Sequence, residues 1–165
     1  MKSKIYLVAG SLIAILIIAL AILVVLPSLT ADPSVKFQQA GALYSKSVDL
    51  ANEGKAADDA GKSSVATEKY VEALKASDEA LALNTPQLTN LIQANRAGLL
   101  VMLGRNSEAI TAADAALTSQ QNLTGTFSVA YFNKGNALRN LGRTDEAKVA
   151  YTKAHELDPT LVSPI

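Results

Sequence analysis

The chain contains no cysteine, and only one of its 165 residues is a histidine. Without a thiol there is no disulfide, no thiolate metal site, no thiol nucleophile and no cysteine for lipid attachment. The single histidine, His155, has no second histidine or cysteine at the spacing of metal ligands. We therefore expect His155 to be an exposed helical residue, and we predict no metal-binding residue.

A catalytic set of residues is also missing from the sequence. The segment from Ala60 to Ser63 is similar to the end of a phosphate-binding loop, but Ala56 stands where that loop requires its first glycine. No strand is predicted before it, and no nucleophile can be matched with a base and an orienting group. We predict that the chain is not an enzyme, with neither catalytic nor cofactor-binding residues.

Runs of alternating β-branched residues and a basic surface are absent too. The first absence argues against a sheet, and the abundance of alanine favours helices that pack closely. Residues 32–165 carry all fifteen acidic residues and thirteen of the fifteen Lys and Arg, a formal charge of −2. Because nucleic-acid binding requires a clustered basic face, we predict no nucleic-acid partner.

One long apolar run is present near the N-terminus. It begins at Ile5 and ends at Leu26, and it contains no charged side chain. As a helix it would be about 33 Å long, enough to cross the hydrocarbon core of a bilayer. We predict a transmembrane anchor over residues 5–26 within an anchor-and-linker segment of residues 1–31, followed by a helical domain over residues 32–165.

The charges beside this run predict its orientation. Lys2 and Lys4 lie on the N-terminal side, whereas Asp32 and Lys36 cancel on the other side. The positive-inside rule then places the N-terminus in the cytoplasm and residues 32–165 outside it. The alternative is a secreted protein whose signal peptide is cleaved after Ala31, although the apolar run is longer than the core of a signal peptide.

The clearest pattern in the chain lies in residues 128–161. Two short amphipathic helices are predicted, with a tight turn at Gly142, a cap at Thr144 and a stop at Pro159. Small and aromatic residues at helical spacing share one face of each helix. In the first helix these are Tyr131, Gly135 and Leu138, and in the second Ala147, Ala150, Tyr151, Ala154 and Leu157.

This pattern resembles a tetratricopeptide repeat, a pair of antiparallel helices in about 34 residues. The resemblance implies an all-α fold in which helix pairs stack into an α-solenoid, here about three hairpins after one transmembrane helix. It also implies a protein–protein interaction scaffold. A single repeat cannot bury its own apolar face, so similar units are expected before residue 128.

Two earlier segments are candidates for such units. Residues 90–121 repeat the turn pattern, with Gly104 and Ala109 in the places of Gly142 and Ala147, but Gln93 replaces the aromatic residue Tyr131. This unit is degenerate. In residues 34–86 the spacing of Phe37, Gly41 and Tyr44 fits a first helix, but some twenty extra residues follow.

The extra residues lead us to expect two long helices in the first hairpin. They are predicted over about residues 34–53 and 63–83, joined by a turn-rich loop. Whether this irregular hairpin is a true repeat stays open.

A binding groove is implied by the resemblance, since the first helix of each repeat lines the concave surface. The candidate groove residues are Asn95, Asn133, Asn136, Arg139 and Asn140. Side-chain amides donate and accept hydrogen bonds, so they could bind the backbone of an extended peptide. The alternative is a polar face exposed to solvent. Family members that clamp a C-terminal carboxylate require lysines where Val129 and Phe132 stand, which argues against that ligand.

These observations predict a membrane-anchored scaffold that binds a protein or peptide, as an assembly factor for a membrane or envelope complex. The alternative is an extracytoplasmic holdase-type chaperone for translocating polypeptides. Phe132 or Val149 on the last hairpin is expected to be partly open, covered by a second copy of the chain or by another membrane protein.

Overall fold

A computed structural model describes residues 32–118 and 124–164. These residues form six α-helices and no strand. The helices are α1 Pro33–Asp59, α2 Ser63–Ala82, α3 Pro86–Met102, α4 Asn106–Ala116, α5 Thr124–Asn140 and α6 Thr144–Leu157. The predicted all-α architecture of three helical hairpins is confirmed for this part of the chain.

Three glycines make the turns inside the hairpins. Gly61, Gly104 and Gly142 have φ angles of +70°, +71° and +74°, which a residue without Cβ adopts at little cost. After each glycine, a backbone N–H donates to a carbonyl five residues earlier, as in a Schellman motif. The three bonds are Lys62 N to Ala57 O at 2.8 Å, Arg105 N to Leu100 O at 2.8 Å and Arg143 N to Leu138 O at 2.9 Å. The turn predicted at Gly142 is confirmed, and the other two hairpins share it.

The start of α6 differs from the prediction. Thr144 was expected to cap the helix, but it is the first helical residue, and Arg143 occupies the cap position without a side-chain cap bond. The Arg143 guanidinium instead donates to both carboxylate oxygens of Glu146, at 2.7 and 2.6 Å. Arg105 and Glu108 form the same pair at the start of α4. The helix ends at Leu157, just before Pro159, as predicted.

Two glycines in first helices lie directly under a tyrosine ring of the following helix. A Cβ on Gly135 would be 2.7 Å from Tyr151 Cδ1, and one on Gly54 would be 2.6 Å from Tyr70 Cε1. Each pair is separated by sixteen residues in sequence. Gly54 therefore does for the first hairpin what Gly135 does for the third, bringing the two helices close together.

The glycine–tyrosine pair corrects the prediction for the first hairpin. A loop was expected to begin near residue 54, but α1 continues to Asp59. Gly54 is a helical residue, and its lack of a side chain leaves room for the ring of Tyr70. Gly41, which the sequence suggested as the packing glycine, has no atom within 4 Å of its Cβ position. The repeat-like unit therefore begins at Ser47, and the extra residues form an N-terminal extension of α1.

When the three hairpins are aligned on their turn glycines, the corresponding units start at Ser47, Asn90 and Ser128. All three side chains are buried. The starts are 43 and 38 residues apart, more than the roughly 34 residues of one repeat. In each case four of the excess residues form the start of the next first helix, residues 86–89 of α3 and 124–127 of α5. The first excess also includes the end of α2 and the connection to α3.

The core is built mainly from alanine, with a few larger side chains. Its largest cluster joins Leu50, Tyr70 and Leu74 of the first hairpin with Leu99 and Leu100 of the second. Helix α2 contacts α3, α4 contacts α5, and α3 contacts α5. Small side chains allow this close stacking, which places the first helices side by side.

No helix among residues 32–118 and 124–164 is long and apolar enough to cross a membrane. The predicted anchor, which begins at Ile5 and ends at Leu26, lies outside the described residues and stays a prediction.

Candidate functional site

An open pocket of about 500 Å³ lies among the described residues. It is formed by the first helix of all three hairpins, α1, α3 and α5. The lining residues are Tyr44, Leu91, Ala94, Asn95, Thr124, Gly125, Thr126 and Val129. A pocket of this volume is in the range that holds a ligand, roughly 300–1,000 Å³.

Half of this pocket is built by residues outside the repeat-like units. Tyr44 lies three residues before Ser47, in the extension of α1. Thr124, Gly125 and Thr126 form the first turn of α5, before the unit that starts at Ser128. The additional turns extend the walls of the groove beyond the repeats and thereby form the pocket.

The lining has no formally charged side chain. Its one ionisable group is the phenol of Tyr44, and burial raises the pKa of Tyr44 above the ordinary value of 10.0. Tyr44 is therefore neutral at physiological pH. The pocket presents apolar surface from Leu91, Ala94 and Val129, with hydroxyl and amide groups beside it.

Asn95 is the one predicted groove residue that lines the pocket, and its amide also joins the first two hairpins. Asn95 Nδ2 donates to Ser47 Oγ at 3.0 Å and to Ser77 Oγ at 3.4 Å. The Ser47 and Ser77 hydroxyls lie 2.8 Å apart, and Ser47 Oγ donates to Ala73 O at 2.9 Å. This buried polar cluster connects α1, α2 and α3.

Asn133 occupies the place in α5 that Asn95 occupies in α3, and it also bonds to the preceding hairpin. Its Nδ2 donates to the backbone oxygen of Ala94 at 3.1 Å. The amide lies across α3 at Gly98, where a Cβ would be 3.0 Å from Nδ2. The glycine leaves room for the contact between the two helices.

The other predicted groove residues lie outside the pocket lining. Asn136 Oδ1 accepts a hydrogen bond of 2.9 Å from the Tyr151 hydroxyl, and Asn140 Nδ2 donates to Asn106 Oδ1 at 3.1 Å. Arg139 is half-buried, and its charge partly offsets the rise that burial causes in the pKa of Tyr151. The structure thus separates Asn95 from Asn136, Arg139 and Asn140, and their role in ligand binding stays a prediction.

Sequence reasoning did not assign the pocket residues Tyr44, Leu91, Thr126 and Val129. The repeat pattern covers only the 34-residue unit, whereas Tyr44 and Thr126 precede it. The available signal for Thr126 was the spacing of 38 residues between the second and third units, which indicates additional residues ahead of the third. Tyr44 precedes the first unit, so the spacing gives no signal for it.

A metal centre finds no support in the described ranges. They contain no group of three or more His, Cys, Asp and Glu side chains placed to bind a metal ion. His155 is exposed near the end of α6, and its Nδ1 lies 3.2 Å from the backbone oxygen of Leu161.

Comparisons with known proteins agree with this architecture. Residues 128–161 match the tetratricopeptide repeat family. A curated relative, Protein STIP1 homolog of Dictyostelium discoideum, is 30% identical over 100 residues, which is 61% of this chain and 17% of that protein. The chain therefore spans less than a fifth of the length of this relative.

A solved structure extends the comparison to the fold. The NMR structure of the first TPR domain of human RPAP3 is similar with a TM-score of 0.50 and 22% identity, over 70% of this chain and 81% of that domain. The repeat match and the shared fold support a protein with tetratricopeptide repeat architecture.

Proposed function

We propose that the helical domain is a non-catalytic scaffold that binds a polypeptide partner in the groove of its first helices. One observation carries this proposal: α1, α3 and α5 jointly form an open, uncharged pocket of about 500 Å³. Stacked helical repeats provide concave surfaces of this kind for protein recognition. The tetratricopeptide repeat match at residues 128–161 supports the same class of function.

The groove is held in shape by hydrogen bonds between its walls. Asn95 ties α3 to Ser47 of α1, and Asn133 ties α5 to Ala94 of α3. A binding surface that is already ordered loses little conformational freedom when the ligand arrives. We expect the first helices to move little on binding, and the ligand to supply most of the adjustment.

The proposed scaffold works at a membrane, tethered by the apolar run from Ile5 to Leu26. Lys2 and Lys4 would keep the N-terminus in the cytoplasm, leaving the groove on the opposite side. In that position it would serve assembly of a membrane or envelope complex. The secreted form, cleaved after Ala31, is the alternative.

The tether can be tested in a chain that has no natural cysteine. Single cysteines placed at Ser3 and at Thr118 of the full-length protein would be labelled in intact cells with a membrane-impermeant maleimide. We expect labelling at position 118 only, and retention of the protein in membranes after alkaline carbonate extraction. Release of the protein by carbonate would contradict the tether, and labelling at position 3 alone would contradict its orientation.

Photocrosslinking tests the groove itself. A photoreactive amino acid at Thr126, in the pocket, is compared with one at Val71, an exposed residue of α2 outside it. In native membranes we expect one stoichiometric partner from position 126 and not from position 71. Many unrelated unfolded chains would instead favour the holdase-type chaperone, and no polypeptide crosslink specific to position 126 would contradict a groove-binding scaffold.

A further inference from the structure

We propose that the pocket of α1, α3 and α5 recognises its polypeptide partner by one uncharged, apolar side chain, of the leucine, isoleucine, methionine or phenylalanine class. This inference rests on the proposed function and specifies the ligand of the same site. It differs from the sequence-based expectation that side-chain amides bind the backbone of the ligand.

The charge of the lining is the first argument. The pocket has no formally charged residue, whereas two other cavities of the described domain do. The cavity of about 490 Å³ at α6 is lined in part by Lys148 and His155, and that of about 210 Å³ by Lys134, Glu146 and Lys153. A charged ligand side chain in the uncharged pocket would lose water without gaining a counter-ion.

The position of the amides is the second argument. Asn95 and Asn133 both direct Nδ2 hydrogen bonds to the neighbouring hairpin, at 3.0 Å to Ser47 and 3.1 Å to Ala94. These bonds engage an N–H group of each amide within the domain, which leaves fewer amide donors for a ligand. The apolar part of the lining comes from Leu91, Ala94 and Val129, with the ring of Tyr44.

The exposed apolar surface is the third argument. Val129 is 42% exposed, and Leu91 is half-buried, although both face a concave site. An aliphatic ligand group that covers them removes their apolar surface from water, which favours binding. Tyr44 and Thr126 line the same pocket, and their hydroxyl groups can form hydrogen bonds with the ligand backbone.

A peptide selection tests the inference with the full-length protein in lipid nanodiscs. The probe is a phage library of random twelve-residue peptides, followed by synthetic versions of the selected peptide with one position changed. We expect selected peptides to share an aliphatic or aromatic anchor at one position. Replacing the anchor by lysine or aspartate should weaken binding at least about tenfold.

A charge placed in the pocket is a second test, and the same charge placed elsewhere is its control. Val129→Asp places a carboxylate at the pocket and should weaken the apolar peptide about tenfold while partly restoring binding of the lysine-anchored version. Val71→Asp makes the same change at a residue of similar exposure, 53%, on α2, and should leave both affinities unchanged. Circular dichroism confirms that both variants are folded.

Other outcomes contradict the inference, and they show whether the proposed function fails with it. Peptides that bind without an apolar anchor, or equal effects of Val129→Asp and Val71→Asp, contradict the apolar pocket and leave the scaffold intact. If no peptide binds and crosslinking at position 126 also gives no partner, the proposed function fails together with the inference.

Discussion

At the residue scale, two glycines determine how closely the two helices of their hairpins pack. Gly54 and Gly135 each lie under a tyrosine ring, Tyr70 and Tyr151, at distances that leave no room for a methyl group. The middle hairpin has alanine in both corresponding places, Ala97 and Ala113. The outer hairpins thus pack a glycine against a tyrosine ring, whereas the middle hairpin packs two alanines together. Both arrangements bring the two helices of a hairpin close to each other.

The first prediction compares two glycines of α1. Gly54→Ala should lower the free energy of unfolding by about 1–3 kcal/mol, because the new Cβ would be 2.6 Å from Tyr70 Cε1. Gly41→Ala should raise it by about 0.5–1 kcal/mol, because no atom lies within 4 Å and alanine favours the helix. Urea denaturation measures both, and equal effects of the two changes would contradict the packing role of Gly54.

Tyr70 gives a prediction about pH. Burial, followed by the hydrogen bond of 2.9 Å to Asp58, raises the pKa of Tyr70 to about 12. The unfolded phenol ionises near pH 10 while the folded one stays neutral, so its stabilising contribution is complete below pH 10 and lost between pH 10 and 12. The loss is on the order of 2 kcal/mol.

The matching measurement compares the wild type with Tyr70→Phe. Thermal unfolding followed from pH 8 to pH 12 should show a smaller alkaline loss of stability in the variant, since phenylalanine cannot ionise. Curves that stay parallel over this range would show that the folded-state pKa of Tyr70 is not raised.

At the scale of the helices, the buried cluster of Ser47, Ser77 and Asn95 joins three elements through side chains. It lies at the boundary between the first two hairpins, where α1, α2 and α3 meet. Hydrogen bonds away from water are costly to leave unmade. The cluster therefore fixes the alignment of the hairpins more strictly than alanine packing alone would do.

Two asparagines at corresponding places of the units test this cluster. Asn95→Ala should destabilise the domain by about 1–3 kcal/mol, because Ser47 and Ser77 lose their shared donor. Asn52→Ala, at the corresponding exposed place in α1, should change stability by less than about 0.5 kcal/mol. Denaturant titration of the two variants distinguishes the outcomes, and a neutral Asn95→Ala would remove the cluster from the account of stability.

The helices themselves were largely predictable from sequence, since the turn at Gly142 and the stop at Pro159 act locally. The extent of α1 was not, because Gly54 resembles a turn residue unless its tyrosine partner sixteen positions later is known. Thr144 also resembles a cap in the sequence, but it is the first helical residue, and Arg143 at the cap position bonds through its side chain to Glu146. Local sequence signals therefore predicted which helices form, whereas the end of α1 depends on a contact with another helix.

The candidate site was predictable only in part. Family resemblance suggested that binding takes place on the first helices, and one of the suggested residues, Asn95, lines the pocket. Its role in binding stays a prediction. The bonds that Asn95 and Asn133 make to neighbouring hairpins depend on the stacking of helices, which no local pattern contains. Tyr44 and Thr126 lie outside the repeated unit, so alignment of the repeats does not include them.

At the scale of the whole molecule, Val149 is the most exposed large apolar residue of the last hairpin. Val149 is 65% exposed beside the cavity lined by Tyr131, Leu138 and Ala150, whereas Phe132 is half-buried against the Tyr151 ring at a centroid distance of 5.6 Å. Of the two residues expected to be open, only Val149 is markedly so. Self-association through this hairpin stays a prediction.

Sedimentation equilibrium of the full-length protein in detergent tests that prediction. We expect concentration-dependent association that Val149→Asp abolishes, because the carboxylate would be desolvated in an apolar contact. Val71→Asp serves as the control on another exposed valine. A wild-type protein that remains monomeric over a hundredfold concentration range would contradict self-association.

The pocket residues that precede the repeat units also have an evolutionary consequence. Tyr44 and Thr126 lie in additional helical turns, while the glycine–tyrosine pairs that hold the hairpins together lie within the units. Mutations in those turns can alter the preferred ligand at little risk to folding. Paralogues that arise by gene duplication could therefore acquire new partners while retaining the same stacked hairpins.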